Sequence, residues 1–513
     1  MLTGEVLARS AVRFPHKPAL IWNDGAISYG ALDEDANRFA NGLIGAGIGP
    51  GDVVAVLCGN RPEYPIAYFG IARAGAVSAH MSPRYLEDEI RHSLSLVDAR
   101  VAVVETGLAG MVASMMPELP NLDFLVIVGE GGNFDDFLAG QSPHDPALDI
   151  DLDGPASITF TGGTTGLPKA ARITHRGRSH WGKVAIHDFG LDEDEIGMVA
   201  APLYHAAGGF IWFQPIIMAG GTAMLQGHWD VEDFIAGVER HGGTGAFLVP
   251  AQISMLLDHP SFDAARLGSL RKLIFGAAPA SPALIARAEA ALPHVHFIQN
   301  FGQTETGPLI TITADDRRRK PDSIGRPSPL VEVGIFTEPG KLAATGEIGH
   351  ICARGVHVMQ GYVDNPAETA DYFRGGDDWG WTGDLAYVDE DGLITLVDRA
   401  RDMIISGGVN VYPAEIERVL DTHPDIAECA VFGVADDRWG ELPAVAVVLT
   451  GDSRLTADDI AAFCDGRIAR HKRPRRIELV DALPRSAAGK VLRNSLRENY
   501  GSPIRSPVQG TPT

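Results

Sequence analysis

The sequence predicts an α/β protein, with a large N-terminal domain of doubly wound sheets and a small α+β C-terminal domain. Strand-like apolar runs alternate with helical patterns along most of the 513 residues, which is typical of parallel sheets covered by helices. Residues 401–513 carry 15 Lys and Arg against 16 Asp and Glu, whereas residues 1–400 carry 28 against 50. We therefore expect a large domain at 1–400, a small domain at 401–500 and a disordered tail at 501–513.

The individual elements follow from the spacing of apolar residues. Apolar residues at helical spacing, ending at glycines, predict a helix at Leu32–Leu43. Continuous apolar runs predict buried strands at Asp52–Cys58, Val101–Glu105 and Leu273–Phe275. The same criteria, applied to the C-terminal part, predict strands at Ala430–Val434 and Ala444–Leu449 and helices at Pro413–Leu420 and Ala457–Ile468.

Composition excludes several classes of protein. The formal net charge is -23, and such a surface repels polyanions at long range, which argues against a general nucleic-acid or membrane-surface binder. No segment reaches about 18 apolar residues, so we expect no membrane insertion. The cysteines fit neither a zinc motif nor a disulfide scaffold and favour the reduced cytoplasm; they are Cys58, Cys352, Cys429 and Cys464.

The segment Ile158–Lys169, ITFTGGTTGLPK, has the composition of a phosphate-binding loop. Its glycines and threonines allow backbone N–H groups and hydroxyls to converge on phosphate oxygens, and Lys169 adds positive charge. The Walker A pattern does not fit this segment. Taken alone, the segment is equally compatible with a flexible surface turn.

Further motifs occur in order along the chain and identify a family. They are FGQTE at Phe301–Glu305, GWTGD at Gly380–Asp384, DRARD at Asp398–Asp402, SGGVNVYPAEIE at Ser406–Glu417 and PRSAAGKV at Pro484–Val491. Together with the phosphate loop, they make the chain resemble the adenylate-forming acyl-CoA synthetases, whose relatives include non-ribosomal peptide adenylation domains and firefly-type luciferases. One departure is Gly162, where the family usually has Ser.

The resemblance implies a first half-reaction in which the acid is activated as an acyl-adenylate. Two anions, carboxylate and triphosphate, then meet in one site, which requires cations and a metal. By resemblance, Thr304 contacts the α-phosphate, Glu305 holds Mg²⁺, and both count as catalytic. The remaining ATP contacts that the resemblance implies are Thr161, Gly162, Gly163, Thr164, Thr165, Gly166, Lys169, Gly276, Ala277, Ala278, Asn300, Phe301, Gly302, Asp384 and Arg399.

The resemblance also implies a mobile C-terminal domain. Lys490 reaches the carboxylate and α-phosphate during adenylation, as a catalytic residue, and then withdraws. Arg401 occupies the position of the family hinge, where Asp or Lys is more common. Rotation about it would replace Lys490 by Gly407 and Gly408, which leave room for the pantetheine arm of coenzyme A.

Candidate coenzyme A contacts come from both domains. Trp439 lies among turn residues, where an indole can stack on adenine. His471, Arg473 and Arg475 form a basic cluster suited to nucleotide phosphates. Arg84 occupies the position where CoA-forming aryl ligases carry an arginine. Alternatively, the basic cluster of His471, Arg473 and Arg475 is a solvated surface that binds no nucleotide.

The segment that begins at Pro202 resembles the family's acyl pocket, with His205 as a catalytic gate. Ala206 and Gly208 are expected to leave space for the substrate. An Asp that would pair with a substrate ammonium is absent from this segment, which argues against an amino acid substrate. The candidate apolar walls are Trp181, Trp212, Phe247 and Phe275.

These observations predict an ATP-, Mg²⁺- and CoA-dependent carboxylate–CoA ligase in the cytoplasm. Its substrate would be an aryl or a medium- to long-chain aliphatic acid. Two alternatives share the adenylation motifs: an acyl-AMP ligase that loads a carrier protein, and a luciferase-like oxygenase. The specific acid and the oligomeric state, including a homodimer, stay open.

Overall fold

The computed structural model describes residues 1–22, 25–161, 167–278, 280–406, 409–436, 439–451, 453–470, 472–485 and 491–501. The chain divides into two compact units. Unit 1 comprises Met1–Gly334 and Cys352–Thr382, and unit 2 comprises Ile335–Ile351 and the described residues from Gly383 onward.

Helices occur along the whole chain. They are α1 Thr3–Arg13, α2 Tyr29–Gly45, α3 Glu63–Arg73, α4 Glu87–Leu96, α5 Thr106–Met115, α6 Phe134–Leu138, α7 His175–Phe189, α8 Gln214–Ala219, α9 Val231–His241, α10 Pro250–Asp258, α11 Pro282–Ala291, α12 Ala314–Arg319, α13 Pro366–Tyr372, α14 Pro413–Leu420, α15 Ala457–Cys464 and α16 Arg493–Tyr500. None of the helices in the described ranges has both the length and the apolar character needed to span a bilayer.

The strands alternate with these helices. The first are β1 Pro18–Trp22, β2 Gly25–Ser28, β3 Val53–Leu57, β4 Val77–His80, β5 Ala99–Glu105, β6 Phe124–Val128, β7 Pro155–Thr161, β8 Lys169–Thr174, β9 Ile196–Val199, β10 Thr222–Leu225, β11 Gly245–Leu248, β12 Lys272–Gly276, β13 His296–Gln303, β14 Gly307–Ile312 and β15 Ser323–Pro327. The others are β16 Glu332–Glu338, β17 Lys341–Leu342, β18 Gly349–Arg354, β19 Gly361–Tyr362, β20 Gly380–Val388, β21 Ile394–Arg399, β22 Ile404–Ser406, β23 Val409–Val411, β24 Ile426–Asp436, β25 Gly440–Leu449 and β26 Arg476–Leu479.

Unit 1 contains two sheets. In the first, the strand order is β15-β14-β13-β12-β11-β9-β10-β1-β2, and the pairs between β13 and β1 are parallel. In the second, the order is β19-β8-β7-β4-β3-β5-β6. Parallel strands buried on both faces are continuously apolar, as in β3, where Val54 to Leu57 are fully buried.

Unit 2 is built mainly from antiparallel pairs. β16 pairs with β17 and β20 pairs with β21. A further sheet has the order β23-β22-β25-β24, and β26 lies parallel to β25. Its core on one face includes Ile404, Ile416 and Val445, and its other face packs Phe432 against Leu496.

The α/β class, with a larger sheet-containing N-terminal part and a smaller C-terminal part, is confirmed. The predicted strands and the predicted helices at Leu32–Leu43 and Pro413–Leu420 are also confirmed, with ends shifted by a few residues. The helix predicted at Ala457–Ile468 ends earlier, at Cys464. Asp465 is extended and Gly466 has a φ of +75°, and this left-handed backbone stops the helix.

Candidate active site

The turn at Thr304–Thr306 joins the antiparallel strands β13 and β14 in unit 1. Gln303 pairs with Gly307 across it, and Thr306 Oγ1 accepts a hydrogen bond from the Gln303 N–H at 3.2 Å. A Cβ on Gly302 would lie 2.0 Å from the Gly307 carbonyl oxygen, so the turn requires glycine there. The tight turn places Thr304 and Glu305 together at the carboxyl end of β13, where ligands of parallel α/β sheets bind.

The side chains of Glu305 and Lys169 both contact Tyr362. The Tyr362 hydroxyl donates a hydrogen bond to Glu305 Oε1 at 2.7 Å. Lys169 Nζ lies 5.8 Å from the centroid of the Tyr362 ring and forms an ion pair with Glu368. The structure therefore brings together the predicted metal-binding carboxylate and the predicted phosphate-binding ammonium, which come from different sheets.

The phosphate segment lies in the hairpin of β7 and β8. Thr161, the last residue of β7, pairs directly with Lys169, the first residue of β8. The predicted contacts Gly162–Gly166 lie outside the described residues. What the structure gives is therefore the two ends of the loop, which carry the predicted Thr161 hydroxyl and Lys169 ammonium.

The predicted adenine segments lie on neighbouring parallel strands. Gly276 at the end of β12 pairs with Asn300 of β13. A Cβ on Gly276 would lie 2.3 Å from the Asn300 carbonyl oxygen, which excludes any larger residue. Ala277 has a φ of +63°, an uncommon left-handed conformation for alanine, while Ala278 is exposed and Phe301 is partly buried. The two segments leave the sheet side by side.

The predicted ribose contacts form a pair within unit 2. Asp384 of β20 lies opposite Arg399 of β21, and Arg399 Nε lies 3.2 Å from Asp384 Oδ1. The Asp384 side chain is buried, whereas the Arg399 side chain is 39% exposed. A buried carboxylate held by an arginine is preorganised to accept hydrogen bonds from two adjacent hydroxyl groups.

Of the candidate coenzyme A contacts, Trp439 and Arg84 are exposed, whereas two arginines are bonded to other groups of the protein. Trp439 is 46% exposed, and its backbone N–H donates to Asp436 Oδ1. Arg84 is exposed as well. Arg473, however, forms an ion pair with Asp465, which neutralises part of the basic cluster. Arg475 contributes a hydrogen bond to a backbone carbonyl.

For the other predicted residues of the C-terminal part, the structure describes Arg401 but not the remaining four. Arg401, the predicted hinge residue, is exposed and directly follows the turn residue Ala400. The residues that lie outside the described ranges are Gly407, Gly408, His471 and Lys490. Their predicted roles stay predictions.

The predicted acyl segment is closely packed around its glycines. His205 precedes a π-helical segment, Ala206–Phe213, and its ring lies 4.6 Å from that of Tyr204. A Cβ on Gly208 would lie 2.2 Å from the Pro202 carbonyl oxygen. This position therefore requires glycine, and the role of Gly208 in the acyl pocket stays a prediction.

The two predicted phenylalanine walls cannot line one pocket. In the parallel pair of β11 and β12, Phe247 lies beside Ile274, and Leu248 lies beside Phe275. Side chains alternate between faces along a strand, so Phe247 and Phe275 point to opposite faces. Phe275 packs in the core with Leu248, and its assignment to the pocket is corrected. Phe247 stays a candidate.

The predicted tryptophan walls are also fully buried. The Trp181 indole donates to the His357 carbonyl, and the Trp212 indole donates to the Met198 carbonyl, each at 2.8 Å. A Cβ on Gly307 would lie 2.4 Å from the Trp181 ring. Both tryptophans therefore hold unit 1 together by packing.

Sequence reasoning missed Tyr362 and Glu368. Tyr362 follows Gly361 in a short run bounded by turn residues, and nothing local in that pattern relates it to Glu305, 57 residues earlier. In the sequence, Glu368 looks like an ordinary acidic residue in the first turn of a helix. Only the antiparallel pairing of β19 with β8 brings this segment beside Lys169.

Comparisons with known proteins identify the family of the chain. Residues 7–363 match the model of the AMP-binding enzyme family, and residues 415–490 match that of the AMP-binding enzyme C-terminal domain. A feruloyl-CoA synthase from Amycolatopsis sp is 36% identical over 97% of this chain and 99% of its own length. The fatty acid–[acyl-carrier-protein] ligase ScoC of Streptomyces coeruleorubidus is 33% identical over 95% and 94%.

Solved structures show the same fold. The anthranilate CoA ligase AuaEII in complex with anthranoyl-AMP superposes with a TM-score of 0.90 at 26% identity and covers 97% of each chain. ATP-bound MatB from Rhodopseudomonas palustris gives 0.91 at 29% identity, over 98% of this chain and 99% of its own. The chain therefore belongs to the family of AMP-binding enzymes, and the predicted assignment to the adenylate-forming acyl-CoA ligases, which use ATP, Mg²⁺ and coenzyme A, is confirmed.

Proposed function

We propose that the protein converts an aryl or a medium- to long-chain aliphatic carboxylic acid into its CoA thioester through an acyl-adenylate. The observation that carries this proposal is the convergence of Glu305 and Lys169 on Tyr362. One carboxylate from the turn after β13 and one ammonium from β8, held near one another, are what a site for a metal–triphosphate complex needs.

The residues at this site fit a magnesium ion. The Glu305 carboxylate offers hard oxygen ligands, and Mg²⁺ typically takes one or two carboxylates together with phosphates and water. Among the described residues, no group of three or more His, Cys, Asp and Glu side chains is arranged to hold a metal. Glu305 would therefore hold the ion with the triphosphate, and the ion would neutralise charge that develops on the phosphates.

The adenylation step uses the chain's polar residues to offset anionic charge. A carboxylate oxygen of the acid attacks the α-phosphorus, and pyrophosphate leaves. Lys169 and the Thr161 hydroxyl hold the outgoing phosphates, while Thr304 contacts the α-phosphate. Lys490 supplies a cation beside the attacking carboxylate. The Asp384–Arg399 pair binds the ribose.

The second step uses a different face of the C-terminal part, which turns about Arg401. Withdrawal of Lys490 allows Gly407 and Gly408 to border the pantetheine path. The thiol of coenzyme A attacks the acyl carbon and AMP leaves. Trp439 stacks on the coenzyme A adenine, and Arg84, His471, Arg473 and Arg475 face its phosphates.

An aryl acid is the favoured substrate. The feruloyl-CoA synthase relative, at 36% identity, acts on an aromatic acid by name, and His205 with Phe247 would offer flat surfaces to a ring. A panel of hydroxycinnamates, benzoates and fatty acids, read by pyrophosphate release with and without coenzyme A, tests the proposal. Aryl acids should give the highest kcat/KM, and a preference for amino acids would contradict it.

Transfer to a carrier protein is a second candidate, because one specific observation favours it. Arg473 is paired with Asp465, so the basic cluster is less available to the phosphates of coenzyme A, and the relative ScoC is a carrier-protein ligase by name. Competition between coenzyme A and a phosphopantetheinylated carrier protein for the same acyl-adenylate distinguishes the two acceptors.

We also propose the cytoplasm as the compartment. All four cysteines lie in the described part of the chain and none of them forms a disulfide, which suits a reducing environment. A homodimer is proposed as the oligomeric state, and the molar mass from light scattering tests it.

A further inference from the structure

We infer that Tyr362 is a positioning residue that orients the Glu305 carboxylate for the metal. This inference rests on the proposed function, because it takes the metal-binding role of Glu305 from there. It adds a residue that belongs to none of the sequence motifs of the nucleotide site, and it explains how a single carboxylate at the tip of a turn is held in one orientation.

The hydrogen bond to Glu305 is specific for one oxygen. The Tyr362 hydroxyl donates to Oε1 at 2.7 Å, and the backbone of the same glutamate accepts a bond from the Met359 N–H at 2.8 Å. Oε2 has no hydrogen-bond partner within the ranges that the structure describes. One oxygen is therefore fixed by the protein, and the other is left for a metal ligand bond.

The Tyr362 hydroxyl suits this role, because a phenol O–H donates a hydrogen bond and a carboxylate oxygen accepts one. A ligand carboxylate that is itself hydrogen-bonded is a common feature of metal sites.

Tyr362 is itself held firmly, so it can orient its partner. Its N–H donates to Thr369 Oγ1 at 2.9 Å, and it pairs with Ala171 of β8. The preceding Gly361 has a φ of +146°, and a Cβ there would lie 2.7 Å from Thr369 Cγ2. Glycine thus permits the close contact that fixes the tyrosine.

The same ring also contacts the phosphate-side cation. Lys169 Nζ lies 5.8 Å from the ring centroid, within the range of a cation–π interaction. Tyr362 therefore contacts the ligand of the metal through its hydroxyl and the cation of the phosphates through its ring. Removal of the hydroxyl alone should affect the first contact and leave the second in place.

The test is metal binding, measured without turnover. Mn²⁺ replaces Mg²⁺, and its binding is followed by electron paramagnetic resonance in the presence of α,β-methylene-ATP, which cannot form the adenylate. We expect Tyr362→Phe to weaken Mn²⁺ binding by about tenfold, a typical effect of losing the partner of a metal ligand. Tyr29→Phe is the matched control, because the buried Tyr29 hydroxyl donates to the Gly221 carbonyl at 2.6 Å.

A double-mutant cycle separates positioning from a structural role. If Tyr362 acts through Glu305, then adding Tyr362→Phe to Glu305→Gln should change Mn²⁺ binding by less than about twofold. A general loss of stability would appear in both backgrounds, and equal losses in both would overturn the inference. Wild-type levels of Mn²⁺ binding in Tyr362→Phe would overturn it and leave the proposed function standing. Absence of Mn²⁺ binding in the wild-type nucleotide complex would overturn both.

Discussion

The turn at Thr304–Thr306 and the segment Ala206–Phe213 are both predicted site segments, yet their side chains do different things in the structure. In the turn, the Glu305 carboxylate is partly exposed and bonded to a residue from another sheet. In the π-helical segment, Gly208 packs against a backbone carbonyl, and Phe210, Trp212 and Phe213 are fully buried. The first segment presents a charged group that can bind a ligand, and the second segment is packed into the protein interior.

The difference shows which residues can be assigned from sequence. A carboxylate or an ammonium is costly to bury without a partner, so its place in a motif points to a ligand. Glycine and aromatic residues occur both in the packed core and in the lining of binding pockets. Which of the two applies depends on the face of the strand or helix that the residue occupies. Substitutions in the two segments should therefore separate activity from stability.

Glu305→Gln should have the largest effect on activity. The amide removes the charge that holds the metal, and adenylation should fall by about a hundred- to a thousandfold, whereas the melting temperature should change little. The acid-dependent exchange of pyrophosphate into ATP measures this step. Asp315→Asn, at an exposed carboxylate of α12, is the control, and equal losses in both variants would contradict the assignment.

Lys490→Ala should slow adenylation strongly and leave thioester formation nearly unchanged. Adenylation should fall by about a hundredfold, because two anions meet without the added cation. Thioester formation from synthetic acyl-adenylate and coenzyme A should continue at nearly the normal rate. Gly408→Leu should show the opposite pattern, with adenylation retained and thioester formation blocked. Equal loss of both steps in Lys490→Ala would contradict the change of orientation.

Gly208→Ala should affect folding in the other segment. The added Cβ would lie 2.2 Å from the Pro202 carbonyl oxygen, and the overlap should reduce the free energy of unfolding by about 1 to 3 kcal/mol. Gly110→Ala is the matched control, since nothing lies within 4 Å of its added Cβ in α5, and it should stabilise by about 0.5 to 1 kcal/mol. Chemical denaturation measures both, and an unchanged Gly208→Ala would refute the packing account.

Trp439→Ala tests a third situation, an exposed aromatic residue in unit 2. The apparent KM for coenzyme A should rise by an amount equivalent to about 1 to 3 kcal/mol, with pyrophosphate release unchanged, because only stacking on a remote adenine is lost. Leu479→Ala is the control, because Leu479 has the same 46% exposure. A KM unaltered by the Trp439 substitution would place the coenzyme A adenine elsewhere.

Much of the fold could be predicted because several buried strands are continuously apolar, as in β3, and many turns are marked by glycine. The predicted metal and phosphate residues Glu305 and Lys169 do come together. Tyr362 could not be predicted, because its contact with Glu305 depends on long-range strand pairing. Phe275 was misassigned because local sequence does not tell which face of β12 is covered by helices.

The formation of an acyl-adenylate is the central claim, and isotope transfer tests it most directly. The acid is supplied with ¹⁸O in both carboxylate oxygens, together with ATP, Mg²⁺ and coenzyme A, and the products are analysed by mass spectrometry. Attack of the carboxylate on the α-phosphorus, followed by thiolysis, must leave one ¹⁸O atom in AMP and none in pyrophosphate. Recovery of ADP and ¹⁸O-labelled phosphate in place of AMP and pyrophosphate would contradict the account.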